Sequence, residues 1–563
     1  MQRLKLLPLA TALFITQLTF AQSGVKGWHM GDAQTDHFNG ISIDKAYTFL
    51  NGKPYKPVIV AVIDSGVDTA HEDLKDILWI NTKEIPGNGI DDDHNGYVDD
   101  IHGWNFLGNS DGNNLNKAND ERSRVYYHFK DKFSTSNLDT SAFTEDEKWQ
   151  YNEWVKASGQ MNIDPDEKMQ VQMLDVICRS LKKNDQVIRA EMNKDEYTQD
   201  ELEKFQPETS KGKQAKMGYI TCLKMLNDVE DQTNKSLISD LEDYVEGKKR
   251  EIDNKLNRPP DYRAQVIKDN YYDINDRYYG NNDIMGPDPM HGTHVSGIIA
   301  AVRNNNIGVN GVADHVKIMM IRAIPDGDEY DKDIALAIKY AVDNGATVIN
   351  MSFGKSFSPE KKWVDEAVRY AELKDVLIVR AAGNESHNTD SVDVFPNAYL
   401  MAYHTKATNF LSVGASGDAD VAKGEIVADF SNYGKATVDV FAPGIKIYST
   451  LPGHNQYGFL NGTSMAAPVV TGIAALIRSY YPALSAKQVI YAIDKSAEAY
   501  ADTLAVTVPG TEKPSNMHAL SISGGVVNAY QAVEIAAGLK PEPSDSRNPK
   551  KVKPTLVKPK ENN

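Results

Sequence analysis

A chain of 563 residues with 41% hydrophobic content is long enough for a large core and for more than one domain. A net charge of −17 argues against a nucleic-acid partner, because phosphate binding needs a basic surface. Beyond the N-terminus, no stretch approaches the ~20 apolar residues of a membrane helix, so no stable membrane insertion is expected.

The N-terminus reads as a signal peptide. Arg3 and Lys5 give a positive start, residues 6–20 are mostly apolar but short, and Ala21 supplies a small residue for cleavage. Export to the periplasm or the medium follows. Residues 22–56 form a polar extension. The run 58–63 is continuously apolar and rich in β-branched residues, as a strand covered on both faces of a parallel sheet should be. It stops at Asp64-Ser65-Gly66, a loop signal.

Residues 110–280 change character. They are rich in Lys and Glu, with apolar residues at four-residue spacing: Met169, Met173, Ile177 and Leu181, then Leu237, Leu241, Tyr244 and Val245. This predicts a helical insertion whose helices pack on one another. It carries the chain's two cysteines, Cys178 and Cys222, which an exported protein could pair or leave as buried thiols. After residue 281 the pattern alternates. Helices are expected over 332–344, 464–481, 486–496 and 527–537, and strands over 347–353, 376–382 and 411–415. Alternation of this kind means an α/β domain with a mainly parallel sheet, whose site lies at the carboxyl ends of its strands. The tail from 539 is basic and proline-rich and cannot build a core. The expected organisation is therefore a signal peptide (1–21), an extension (22–56), an α/β domain in two parts (57–109 and 281–538), the insertion (110–280) and a disordered tail (539–563).

Four short motifs fall where such a site belongs. Asp64 follows the first strand. His291-Gly292-Thr293-His294 opens an apolar helix, with His294 facing elsewhere and structural. Ala381-Ala382-Gly383-Asn384 ends a strand. Gly462-Thr463-Ser464-Met465-Ala466-Ala467-Pro468 opens a long apolar helix. A serine hydroxyl becomes nucleophilic when a histidine takes its proton, and an aspartate fixes that imidazole. The oxyanion that forms needs aimed donors. A helix N-terminal amide at Ser464 and the Asn384 side chain can supply them.

With these motifs in the order Asp, His, Ser, the sequence resembles the subtilisin-like serine protease (subtilase) family over about 50–109 and 281–538. The resemblance implies an α/β/α sandwich and cleavage of peptide bonds in proteins and peptides. It implies Asp64, His291 and Ser464 as the triad, Asn384 in the oxyanion hole, and no catalytic cofactor. It also implies that Ser352, Phe353 and Gly354, with Ala381, Ala382 and Gly383, line the substrate cleft. A transpeptidase or cyclase on the same fold would share every one of these residues, and a non-catalytic binding protein would usually have lost one.

One further motif is independent. From Asp91 to Asp100, oxygen-bearing residues alternate around Gly96 as in an EF-hand loop. This suggests structural calcium on Asp91, Asp93, Asn95, the Tyr97 carbonyl and Asp99 or Asp100, although His102 stands where the loop's closing Glu belongs.

Overall fold

The computed structural model describes residues 25–542, apart from 136–137, 227–232, 423, 454 and 498–504. The expected signal peptide and all but the start of the expected disordered tail lie outside the described residues. The chain forms two compact units: one from residues up to 116, 266–325 and 329 onward, the other from 117–265 and 326–328. Among the described residues, no helix is long and apolar enough to cross a membrane.

The first unit is built on a parallel seven-stranded sheet. Its strands are β1 (Val58–Asp64), β2 (Gly103–Asn105), β3 (Val316–Arg322), β4 (Val348–Met351), β5 (Leu377–Ala381), β6 (Phe410–Ser416) and β7 (Val440–Pro443), in the spatial order β2-β3-β1-β4-β5-β6-β7. Side chains along a strand point alternately to its two faces. In β1, Val58, Val60 and Val62 join one hydrophobic cluster, while Ala61 and Ile63 join another. The first cluster holds the helices Met290–Ala300, Thr463–Tyr480, Ala486–Ala497 and Ala529–Gly538; the second holds Asp331–Asp343 and Lys361–Leu373. Helices thus cover both faces, as an α/β/α sandwich requires. The chain passes from β3, on one side of β1, to β4 on the other. Such a reversal opens a crevice at the carboxyl ends of the strands. An antiparallel hairpin, β8 (Ile447–Leu451) and β9 (Gln456–Leu460), leads directly into the helix carrying Ser464.

The second unit is helical. Its longest elements are Pro165–Met192, Ser210–Leu226 and Asn234–Leu256. Ile177, Leu181, Ile188, Tyr219, Leu223 and Leu237 form its core, and Cys178 and Cys222 are free, buried thiols. A polar knot sits inside it. Asp185 accepts from the Tyr197 hydroxyl at 3.0 Å and from the Asn234 amide at 2.6 Å, and pairs with Arg189 at 2.7 Å. The apolar spacing marks the inward face imperfectly: Ile177 and Leu181 are buried, whereas Met169, Met173 and Tyr244 are exposed. Met169 and Met173 lie in the first turns of their helix, where Val171 between them takes the buried position.

The N-terminal extension packs into the first unit. Trp28 is fully buried with Ile41, Ile43 and Leu50, and its indole N–H donates to the Ile445 carbonyl at 3.0 Å. Trp28→Ala should therefore cost about 3–5 kcal/mol through the cavity it leaves, seen as a lower melting temperature. Trp28→Phe, which keeps most of the packing and loses the hydrogen bond, should cost less.

Candidate active site

Asp64 is the last residue of β1 and almost fully buried. Its Oδ1 accepts from the Ser65 amide at 2.7 Å and from His291 Nδ1 at 2.8 Å. A carboxylate only accepts, so Nδ1 carries the proton and the Nε2 lone pair is left free. His291 is the second residue of the helix Met290–Ala300. The next residue must be glycine: a Cβ on Gly292 would stand 2.2 Å from the Gly66 carbonyl. That close approach seats the helix start against the Asp64 loop.

The β8–β9 hairpin holds the same helix from its other side. Ser449 and Thr450 donate to the carbonyls of His294 and Thr293 at 2.9 and 2.7 Å. His294 itself bonds through Nε2 to the Gly458 carbonyl at 3.2 Å. Its role is structural, as its position in the motif suggests.

Ser464 is the second residue of its helix, where the backbone N–H has no acceptor within the helix. Its hydroxyl donates to the Ser352 carbonyl at 2.9 Å, and the Ser352 hydroxyl donates back to the Ser464 carbonyl at 2.9 Å. The reason lies four residues on. Pro468 has no N–H to give the Ser464 carbonyl, so a side chain from the end of β4 supplies the missing donor. Asn350 in turn donates to the Ser352 hydroxyl at 3.0 Å.

Asn384 lies just beyond β5. Its Oδ1 accepts from both the amide and the hydroxyl of Thr463, each at 2.9 Å. An amide N–H can only donate, so this fixes the carboxamide orientation and leaves Nδ2 free. Gly462, at φ +147°, shows where Nδ2 lies: the point where a Cβ would stand is 3.6 Å from both Asn384 Nδ2 and Ser464 N. Two N–H donors thus border the open side of Gly462. Thr463, which sequence reasoning did not single out, orients Asn384 and also accepts from the Gly383 amide at 3.1 Å.

Of the residues expected to line the cleft, Ser352 follows β4 and is buried, Phe353 is half-buried and Gly354 is exposed. The side chains of Ala381 and Ala382 are packed into hydrophobic clusters. The backbone here is engaged within the protein: the Ala382 amide donates to the Val413 carbonyl, and the Ala382 and Gly383 carbonyls accept from Asn432.

In the acidic loop, carboxylate oxygens of Asp91, Asp93 and Glu84 lie within 4.8 Å of one another. Glu84 precedes the motif by several residues, and the EF-hand spacing gave no sign of it. Asn95 Oδ1 accepts from the Tyr97 amide at 2.8 Å, within the same turn. Asp99 faces elsewhere, its two oxygens accepting from the Gly87 and Gly89 amides at 2.8 Å. Asp100 is bound by Asn81, Asn95 and Tyr340. The converging set is therefore Glu84, Asp91 and Asp93, hard oxygen donors of the kind calcium takes.

Residues 55–517 match the model of the subtilase family. Over 221 residues, 39% of its length, the chain is 42% identical to the thermophilic serine proteinase of Bacillus sp. strain AK1. It is 40% identical to subtilisin DY of Bacillus licheniformis over 38% of this chain and 72% of that protein. It is 36% identical to subtilisin-like protease 1 of Plasmodium falciparum over 46% of this chain. The matched region spans 49% of the Bacillus sp. proteinase and 38% of the Plasmodium protease.

Burial disfavours the imidazolium of His291, but the charge and hydrogen bond of Asp64, helped by the charge of Asp288, outweigh it and raise the pKa above the ordinary 6.5. The protonated pair then stabilises the fold fully below about 6.5, and the contribution is lost as pH rises through the higher folded value. NMR titration of the His291 ring should give a pKa above that of free histidine. Asp64→Asn, which removes the charge and leaves the burial, should bring it below.

Proposed function

We propose, from the premise that this chain belongs to the subtilase family, that it is a serine endopeptidase acting through an acyl-enzyme on Ser464. Ser464 turns from the Ser352 carbonyl toward the free Nε2 of His291, which takes its proton as Oγ attacks the scissile carbonyl. Asp64 holds the imidazole in the required tautomer and stabilises the imidazolium. The carbonyl oxygen becomes an oxyanion between Asn384 Nδ2 and the Ser464 amide. His291 then returns the proton to the leaving amine, and water, deprotonated by the same ring, releases the acyl group. These steps call on no cofactor. Residues from Ser352 to Gly354 and from Ala381 to Gly383 would border the substrate cleft.

The observation that carries this reading is the pair of N–H donors beside Gly462, because a merely structural serine has no use for them. The named relatives are proteinases, which favours water over a second peptide as acyl acceptor. The basic and apolar N-terminal sequence supports export.

A serine-directed phosphonate should label Ser464, and Ser464→Ala should abolish the labelling and lower kcat by about 10⁶-fold. Asn384→Ala should lower it by about 10²–10³-fold. Both magnitudes are those found for the corresponding groups of subtilisin itself. Labelling at another residue, or turnover that survives in Ser464→Ala, would refute the assignment.

The acidic loop supports structural calcium on Glu84, Asp91 and Asp93, with Asn95 and the Tyr97 carbonyl on the same turn. A ligand bound only by the native state adds RT ln(1 + [L]/Kd), or about 2.7 kcal/mol at a hundredfold excess over Kd. Chelation should lower the melting temperature, and Asp93→Ala should remove that response. A melting curve indifferent to chelator would leave the loop as an acidic turn.

A further inference from the structure

Arg322 closes β3, in register with Asp64 at the end of β1. Its side chain is almost wholly buried. Desolvating a guanidinium is costly, and here its hydrogen bonds go to uncharged acceptors. Nε donates to the Ser65 carbonyl at 2.9 Å, Nη1 to Asn105 Oδ1 at 3.0 Å and Nη2 to the Leu115 carbonyl at 2.9 Å. Burial pushes its pKa down to about 10, against the opposing charges of Asp283 and Asp288. On the remaining side lies Gly286, at φ +63°, where a Cβ would stand 2.2 Å from Nε.

These contacts have a common logic. Ser65 follows Asp64. Leu115 lies where the chain leaves the first unit, and Gly286 lies on the segment that brings it back to the helix of His291. One planar cation therefore touches the loop after the aspartate and both ends of the excursion that separates it from the histidine. A hydrophobic residue could fill this space but could not bond the Ser65 and Leu115 carbonyls and the Asn105 side chain at once, whereas the fork of an arginine can.

We propose that Arg322 is a positioning residue that holds Asp64 and His291 in register by tying the outgoing end of the insertion at Leu115 to the Ser65 loop and packing against the returning chain at Gly286. The role rests on the endopeptidase reading above.

The test compares the full-length wild type with Arg322→Lys and Gly286→Ala. Lysine keeps the charge and loses the fork. The alanine methyl pushes on the guanidinium from the opposite side. On a small chromogenic peptide, each variant should lose about 10–100-fold in kcat, the scale of a misplacement near 1 Å, with KM nearly unchanged. The acid limb of kcat/KM should move to lower pH, as Asp64 loosens its hold on the imidazolium while Asp288 remains in place. The double variant should lose less than the product of the two single effects. NMR titration of the His291 ring should show the same downward shift without any turnover. An inert wild type would thus sink the endopeptidase reading and still leave Arg322 judged by the ring titration. Folded variants with a wild-type His291 titration would overturn the proposal, and so would a loss confined to melting temperature. If Arg322→Lys does not fold, Gly286→Ala decides by the same readouts.

Discussion

The hydrogen bond between Asp64 and His291 joins residues 227 positions apart, and closing it is the constraint the first unit is built around. Length alone is a modest obstacle. The entropy of closing a loop grows with the logarithm of its length, about 0.6 kcal/mol per doubling. What matters is where the ends are pinned. Asn105 and Asn281 exchange both backbone hydrogen bonds, at 2.9 and 3.1 Å. The Val67 amide donates to the Ile284 carbonyl at 3.0 Å, and Asn282 reaches the Asp99 carbonyl at 3.2 Å. The returning chain is therefore set against the outgoing one before the helix of His291 begins. A folded unit between those ends leaves the local geometry unchanged.

The serine half of the site is assembled by satisfying orphaned groups. Pro468 leaves a carbonyl without its helical donor, and Ser352 fills the gap. The first helical amide, that of Thr463, has no partner in its own helix, and Asn384 accepts from it. Each repair fixes a side chain or backbone group at the cleft. Meeting the ordinary demand that buried polar groups be paired also leaves Nδ2 of Asn384 and the Ser464 amide nitrogen each 3.6 Å from one point beside Gly462.

Much of this was legible in sequence because motif residues act locally. An apolar β-branched run announced β1, and the Gly-Thr-Ser motif announced a helix start. Asp64, His291, Asn384 and Ser464 each sit at the end of an element, where turn and cap signals are strong. Other residues left no such mark. Arg322 ends an apolar strand, and nothing in its neighbours says that its guanidinium stays inside. Glu84 joins Asp91 and Asp93 through a turn that the EF-hand spacing does not describe. Asp99 has a φ of +53° that carries its carboxylate back to the Gly87 and Gly89 amides, which spacing alone could not reveal. In the second unit, four-residue spacing marks a helix but drifts around its axis at 3.6 residues per turn, so Met169 and Met173 fall off the buried face while Val171 lies on it.

The electrostatics of two buried histidines and the half-buried His291 complete the picture. His29, His291 and His294 belong to one region of the first unit, each of the outer pair acting on His294 by charge. Burial lowers the pKa of His29 to about 4 and that of His294 to about 3. Both are therefore neutral near pH 7. His294 can then donate Nε2–H to the Gly458 carbonyl permanently and help hold the hairpin that delivers Ser464. His291 alone has a carboxylate within hydrogen-bonding distance, and it alone is raised. Two neighbouring imidazoliums would repel each other and depress the base. Keeping His294 neutral removes that repulsion and leaves Asp64 and Asp288 as the charges that set the titration of His291. The same burial that makes His294 a fixed strut thus leaves His291 as the titrating imidazole of its helix.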